Sequence, residues 1–192
     1  MGKWKTGKTR FATVMLIFGV SCLFGGSLLV ARPAYRNLSR LCLQQMARFN
    51  WVRRDLASTM ENGQAVAWIK SDSAGLDSAV LLDGSPQNLL KFPCLSRSGV
   101  LPGEAGTVII QAHRDTHFRG LGKLVSGDPV QLETVAGVVR RYVVSETEIM
   151  TRQQLETRFQ QNFEGLVLVT CYPFRYTGPA PKRYLVWLRE ET

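Results

Sequence analysis

The chain has 192 residues, enough for one folded domain with a proper core plus an appendage. Its net charge of +9 is not spread evenly: residues 1–60 hold ten Lys or Arg against Asp55 alone, whereas residues 61–192 hold fourteen basic and fourteen acidic residues. A neutral C-terminal region argues against a nucleic-acid-binding domain, and a basic excess confined to the N-terminal segment fits membrane topology better.

Phe11 to Val30 is a run of twenty residues without a charge. At a helical rise of about 1.5 Å per residue it reaches about 30 Å, the hydrocarbon thickness of a bilayer. Lys3, Lys5, Lys8 and Arg10 precede it, and Trp4 suits the headgroup level, so the N-terminus is expected in the cytoplasm. Arg32, Arg36 and Arg40 follow the run and weaken this asymmetry without reversing it. No Ala-x-Ala site follows, and Phe18-Gly19-Val20-Ser21 is a poor lipoprotein signal ahead of Cys22. The expectation is a cytoplasmic tail over residues 1–10 and an uncleaved transmembrane signal anchor over 11–30. This places the remainder on the periplasmic or extracytoplasmic side of the inner membrane.

Residues 31–60 mix polar and apolar positions at helical spacing (Leu38, Leu41, Met46, Phe49, Val52, Leu56), with Pro33 suited to a first helical turn. They read as an amphipathic stalk without chemistry, bounded by Glu61-Asn62-Gly63. From residue 61 to 192 the texture changes. Short apolar runs at Ala65–Ile69, Ala79–Leu82, Thr107–Gln111, Pro129–Glu133, Val138–Val144, Gly165–Cys171 and Arg183–Leu188 are separated by turns rich in Gly, Pro, Asp and Ser. This pattern predicts a mostly β domain, a barrel or a sandwich. Thr151–Gln160 has helical propensity and is expected to cap a barrel end.

The chemistry-bearing stretch is Leu166-Val167-Leu168-Val169-Thr170-Cys171-Tyr172-Pro173. It reads as a buried strand whose pairing stops at Pro173, which lacks a backbone donor, leaving Cys171 at the strand mouth. There the cysteine is either a nucleophile or an inert small hydrophobe. The two histidines, His113 and His117, both lie in Gln111-Ala112-His113-Arg114-Asp115-Thr116-His117-Phe118. Three readings compete: a metal site, a structural histidine at a strand end, and a general acid/base paired with Cys171. A four-residue spacing aligns two histidines on a helix, but these follow the strand-like Thr107-Val108-Ile109-Ile110. Cys22, Cys42, Cys94 and Cys171 include no C-x-x-C pair. Neither a metal nor a cofactor is expected.

Three pieces of the chain together resemble the sortases, membrane-anchored cysteine transpeptidases, over roughly Ala65 to Arg189. They are Pro102-Gly103-Glu104-Ala105-Gly106 leading through a strand to Ala112-His113-Arg114, the Leu121–Asp128 segment with its Gly127-Asp128 turn, and Leu168-Val169-Thr170-Cys171 followed by Arg183-Tyr184-Leu185-Val186. The segments His113–Phe118 and Thr170–Phe174 look most like the class found in Gram-negative bacteria. The resemblance implies a closed barrel of about eight strands with short helices. It implies that Cys171 attacks a carbonyl in a Leu-Pro-x-Thr-Gly-like C-terminal sorting signal to form a thioester. His113 would be the acid and base, and Arg183 would stabilise the oxyanion. Thr170, Asp115, His117 and Tyr172 are candidates for supporting or groove roles. The partners implied are a secreted protein bearing the signal and an amine acceptor, on peptidoglycan or a protein lysine. A processing protease that hydrolyses its thioester, and a silent envelope-binding module, are the alternatives. The pattern departs at Ala112, where Gly is usual, at Phe92-Pro93-Cys94-Leu95-Ser96, where a Gly-rich stretch is usual, and at Arg175, where an acidic residue is common. A disulfide between Cys42 and Cys94 is compatible with an oxidising compartment but is not expected from the sequence.

Overall fold

A computed structural model describes residues 5–52 and 63–191, with the side chains of residues 5–40 only in part. The expected boundary at Glu61-Asn62 and the start of the basic tail lie outside the described residues. The first element, α1, is one 48-residue helix from Lys5 to Val52. It does not restart at Pro33. Proline removes one helical hydrogen bond, and the chain stays helical across it.

The chain divides into two units, one up to Leu43 and one from Gln44 onward. In the first, Met15, Leu16, Ile17 and Phe18 are 58–70 % exposed. Among the described residues no helix is long and apolar enough to cross a membrane. Many side chains of the run 11–30, where the anchor is expected, lie outside those residues.

The second unit is a closed barrel. Its strands are β1 (Ala65–Ser71), β2 (Leu76–Leu81), β3 (Cys94–Leu95), β4 (Thr107–Gln111), β5 (Pro129–Thr134), β6 (Val139–Thr151), β7 (Gly165–Tyr172) and β8 (Lys182–Glu190). Their order around the barrel is β1-β2-β3-β4-β7-β8-β6-β5, and β5 pairs back to β1. Two short helices interrupt the strands: α2 (Pro86–Leu89) and α3 (Arg152–Phe159). All seven apolar runs read from the sequence are strands. β3 is an eighth, only two residues long, and a segment that short carries no alternation to read. β6 runs on to Thr151 because its second half pairs with β8 from Glu146↔Trp187 to Thr151↔Lys182.

Residues alternate between the two faces of each strand, and each face packs its own cluster. Val108, Ile110, Leu166, Leu168, Val186 and Leu188 fill the barrel interior together with Ile69, Val80, Phe118 and Leu132. On the outer face, Ile109, Val167, Val169, Leu185 and Trp187 form a second cluster, covered by Met150, Leu155, Phe159 and Phe163. Helix α3 therefore lies against the barrel wall and does not cap an end. The uncovered apolar stripe on β7 and β8 draws it there.

The last turns of α1 belong to the barrel unit. Gln44, Arg48 and Trp51 fall on one helical face. Gln44 Nε2 lies 3.1 Å from His117 Nδ1, Arg48 Nη1 donates to Asp77 at 2.8 Å, and the Trp51 and Trp68 rings are 6.0 Å apart. Asp77 also accepts from Trp68 Nε1 at 2.6 Å. Trp51 and Ala47 are buried. Trp51→Ala is expected to cost about 3 kcal/mol, the scale of a buried aromatic truncation. Arg48→Ala, which loses a largely exposed ion pair, should cost less than about 1 kcal/mol. Thermal melts of the two variants check this: at about 2–4 °C per kcal/mol, Trp51→Ala should melt roughly 10 °C low and Arg48→Ala near the parent.

Candidate active site

Strand β4 pairs with β7 in parallel, with Gln111 opposite Val169. The alignment continues one residue further, since Ala112 N–H donates to the Val169 carbonyl at 3.3 Å. Two residues beyond this pair come His113 on one chain and Cys171 on the other. Strand β8 runs antiparallel to β7 with Arg183 directly opposite Cys171. Residues 109, 111 and 113, residues 167, 169 and 171, and residues 183, 185 and 187 all fall on the outer face by alternation. Neighbouring strands lie about 4.8 Å apart. Cys171 and Arg183 are thus paired on β7 and β8, and His113 follows the end of β4 at the same rim of the barrel. All three side chains are half-buried.

Thr170 points the other way. It is buried, and its Oγ1 donates to the Ala112 carbonyl at 2.7 Å, tying β7 to the residue before His113. The His113 carbonyl then accepts from Phe118 N–H at 3.1 Å, which folds the following loop back on itself. Arg114 reaches across to the β7–β8 connection, donating to the Tyr176 carbonyl at 2.7 Å with its guanidinium over the Tyr176 ring. Gly122 lets that connection pack, because a β-carbon there would lie 2.7 Å from the Phe174 ring. Arg183 Nη1 donates to the carbonyls of Ala180 and Lys182, so its guanidinium is drawn toward the same turn.

The other residues singled out from the sequence sit apart from this trio. Tyr172 is on the inward face of β7, its ring 5.9 Å from Phe174 and 6.2 Å from Tyr184. His117 stacks on Phe92 at 6.3 Å and meets Gln44, facing the stalk helix. Asp115 is exposed in the loop after His113. No group of three or more His, Cys, Asp or Glu able to hold a metal is found among the described residues.

A cleft of about 290 Å³ runs along the outer face beside Val169, two residues from Cys171. Ile109, Val169, Leu155 and Phe159 give it an apolar lining, and Arg152 and Glu156 of α3 line it as well. Sequence reasoning assigned the helix at Thr151–Gln160 without connecting it to the site. The available signal was the Thr151/Gln154 capping box, in which each side chain satisfies the other's backbone N–H. It marks where the helix starts but not which wall it covers.

The cysteines differ sharply in environment. Cys94 is fully buried in β3, its thiol donating to the Phe92 carbonyl at 3.4 Å. Burial first, and then the nearby Asp83 carboxylate, push this thiol up to about 12. Cys94 is free, not disulfide-bonded, as are Cys22, Cys42 and Cys171. A thiol held protonated is a poor nucleophile, so of the two barrel cysteines Cys171 is the one placed to react.

Comparison with known proteins agrees with this geometry. Residues 69–191 match the Sortase domain family. Sortase D of Bacillus subtilis (strain 168) is 31% identical over 133 residues, covering 69% of this chain and 67% of its own. Among solved structures, a Clostridium perfringens Sortase D5 transpeptidase superposes with a TM-score of 0.60 at 17% identity, covering 80% of this chain and 98% of that one. Streptococcus pneumoniae Sortase C superposes with a TM-score of 0.60 at 22% identity, covering 67% and 69%. The chain belongs to the sortase family and is a cysteine transpeptidase.

Three outcomes follow from the site. Because the folded Cys94 thiol holds its proton up to about pH 12 while an unfolded cysteine loses it near pH 8.5, its contribution to stability is complete below about pH 8.5 and is lost as pH rises toward 12. Urea melts from pH 8 to 11 should show stability falling, and falling less in Cys94→Ala. Peptide mapping after brief iodoacetamide treatment at pH 8 should find Cys171 modified and Cys94 intact. Thr170→Val leaves the Ala112 carbonyl without its buried donor, a loss of about 1–3 kcal/mol. Peptide cleavage should fall at least about tenfold if that energy is spent holding His113 in place, with the Cys171 alkylation rate little changed.

Proposed function

We propose that this protein is a membrane-anchored sortase that cleaves a Leu-Pro-x-Thr-Gly-like sorting signal through a thioester on Cys171 and transfers the new C-terminus to an amine. The observation that carries the reading is the register that puts Cys171 on β7 opposite Arg183 on β8, with His113 two residues past the end of β4 at the same rim, and with a partly apolar cleft along the same outer face beside Val169. Cys171 Sγ attacks the scissile carbonyl with its proton passed to His113, and the tetrahedral oxyanion is stabilised by the permanently charged Arg183. Its bonds to Ala180 and Lys182 both use Nη1, which leaves the Nε–H and Nη2–H donors for the oxyanion. The intermediate collapses as His113 protonates the leaving amine, forming the thioester. His113 then takes a proton from the incoming amine, which attacks the thioester and releases Cys171. Thr170 acts indirectly, by fixing the backbone ahead of His113.

Membership of the Gram-negative class is part of the same proposal and rests on the His113–Phe118 and Thr170–Phe174 segments. So is the anchor over residues 11–30. The charge-free run, the four basic residues before it and the exposure of Met15 to Phe18 support a single pass, with the barrel outside the cytoplasm. The acceptor is proposed to be an amine of peptidoglycan or a protein lysine.

Intact-mass spectrometry of the chain mixed with a Leu-Pro-x-Thr-Gly-type peptide and a small amine tests the reaction. The expected result is an acyl adduct on Cys171, absent in Cys171→Ala and discharged by the amine. His113→Ala and Arg183→Ala should reduce turnover by about 10²-fold or more, the scale of losing acid–base or oxyanion assistance. An adduct discharged by water alone would make the protein a processing protease. Absence of an adduct with any sorting-type peptide would favour a binding module.

A further inference from the structure

Helix α3 walls the cleft beside Cys171, yet it buries none of its own residues and is eight residues long. A helix that short has little stability of its own in water. Its N-terminus is held by the Thr151/Gln154 capping box, its front by Leu155 and Phe159 packed on the outer-face cluster, and its C-terminal half also by the Arg158 side chain. The Arg158 guanidinium lies 4.1 Å above the Trp187 ring, which is fully buried in the outer-face cluster. Arg158 also pairs with Glu146 at 3.1 Å and Glu148 at 3.4 Å on β6, and donates to Gln161 at 3.0 Å. A guanidinium stacked on an aromatic face and bridging two carboxylates is a geometry that a lysine cannot reproduce.

The cleft that carries Leu155, Glu156 and Phe159 lies on one side of α3, and a second open cleft of about 470 Å³ lies on the other. This second cleft is lined by Ile149, Met150, Thr157 and Arg158. Close packing therefore does not hold the helix from behind. Arg158 lines this cleft and ties the back of the helix to β6 and to the Trp187 ring, while Leu155 and Phe159 pack in front against the cluster that holds Ile109 and Val169.

We infer that Arg158 is a positioning residue for substrate recognition: its clamp on Trp187, Glu146 and Glu148 sets the width of the peptide cleft and thereby the KM for the sorting signal, without taking part in the chemistry at Cys171. The inference rests on the proposed reaction. It separates two parts of the protein: strand ends that carry the reaction, and a clamped helix that carries affinity.

The test uses the full chain in mild detergent with the Leu-Pro-x-Thr-Gly-type peptide. Arg158→Ala should raise KM about fivefold or more while kcat stays within about twofold, since lost ground-state binding leaves the chemical step intact. Iodoacetamide should alkylate Cys171 at the parent rate, and amide exchange should quicken over residues 152–159 and not over β7. Arg158→Lys, which keeps the charge but not the flat stack, should recover only part of the KM. Glu146→Gln with Glu148→Gln, a milder change that leaves the stacking on Trp187, should raise KM about threefold and serves if Arg158→Ala does not fold. An unchanged KM in these variants, or a full recovery in Arg158→Lys, overturns the inference while leaving the reaction standing. If the unaltered chain forms no adduct on Cys171, the reaction itself fails and the inference fails with it.

Discussion

The candidate active site depends on the register between β4, β7 and β8. Two parallel strands end at the same rim, so Cys171 and His113 arrive there together although 58 residues apart in sequence. An antiparallel neighbour begins where they end, so Arg183 arrives at its start. Side chains alternate with a period of two, and a slip of one residue in β7 would turn Cys171 into the barrel and Thr170 out. Closure of the sheet makes such a slip costly, because every strand has a partner on both sides and no free edge to slide along. The bond from Thr170 to the Ala112 carbonyl locks the register at the point where regular pairing gives out.

Much of this was legible from residue order. β-branched runs between turn residues mark the seven longer strands, and Pro173 marks the end of β7. What alternation alone did not settle was the face on which Cys171 lies, since β7 is apolar on both sides. Val167 and Val169 are buried under α3, just as Leu166 and Leu168 are buried in the barrel interior. The resemblance supplied the grouping of Cys171, His113 and Arg183; the pairing supplies the physical reason for it. Other features were illegible for definite causes. β3 is too short to show a pattern, and the far half of β6 is a strand because β8 is there to pair with it. The docking of Gln44, Arg48 and Trp51 on His117, Asp77 and Trp68 involves residues 17 to 73 positions away. No local signal encodes such contacts.

The barrel holds two cysteines with opposite fates, and the difference comes from placement alone. Cys94 sits on a two-residue strand inside the fold, where the cost of desolvating a thiolate keeps the proton on sulfur. Cys171 sits at a rim, on the outer face, flanked by a histidine and an arginine. This arrangement leaves Cys171 as the accessible thiol of the barrel, and the buried thiol behaves as a small apolar side chain.

A barrel of this size fills its interior with its own side chains, so a peptide must be read on the outside. The outer faces of β4, β7 and β8 offer a floor but no walls. Walls have to come from the connections, and α3, inserted between β6 and β7, supplies one. This explains why the departures from the family pattern need not disturb the reaction. Phe92 and Cys94 are built into the barrel, Phe92 stacking on His117, and from that stretch only Ser96 reaches the cleft. Arg175 is exposed in the β7–β8 connection, beyond the strand ends that fix Cys171 and Arg183. Changes at Ser96, Arg175 or along α3 alter the outer cleft and the β7–β8 connection while the register that sets Cys171, His113 and Arg183 stays as the strands fix it.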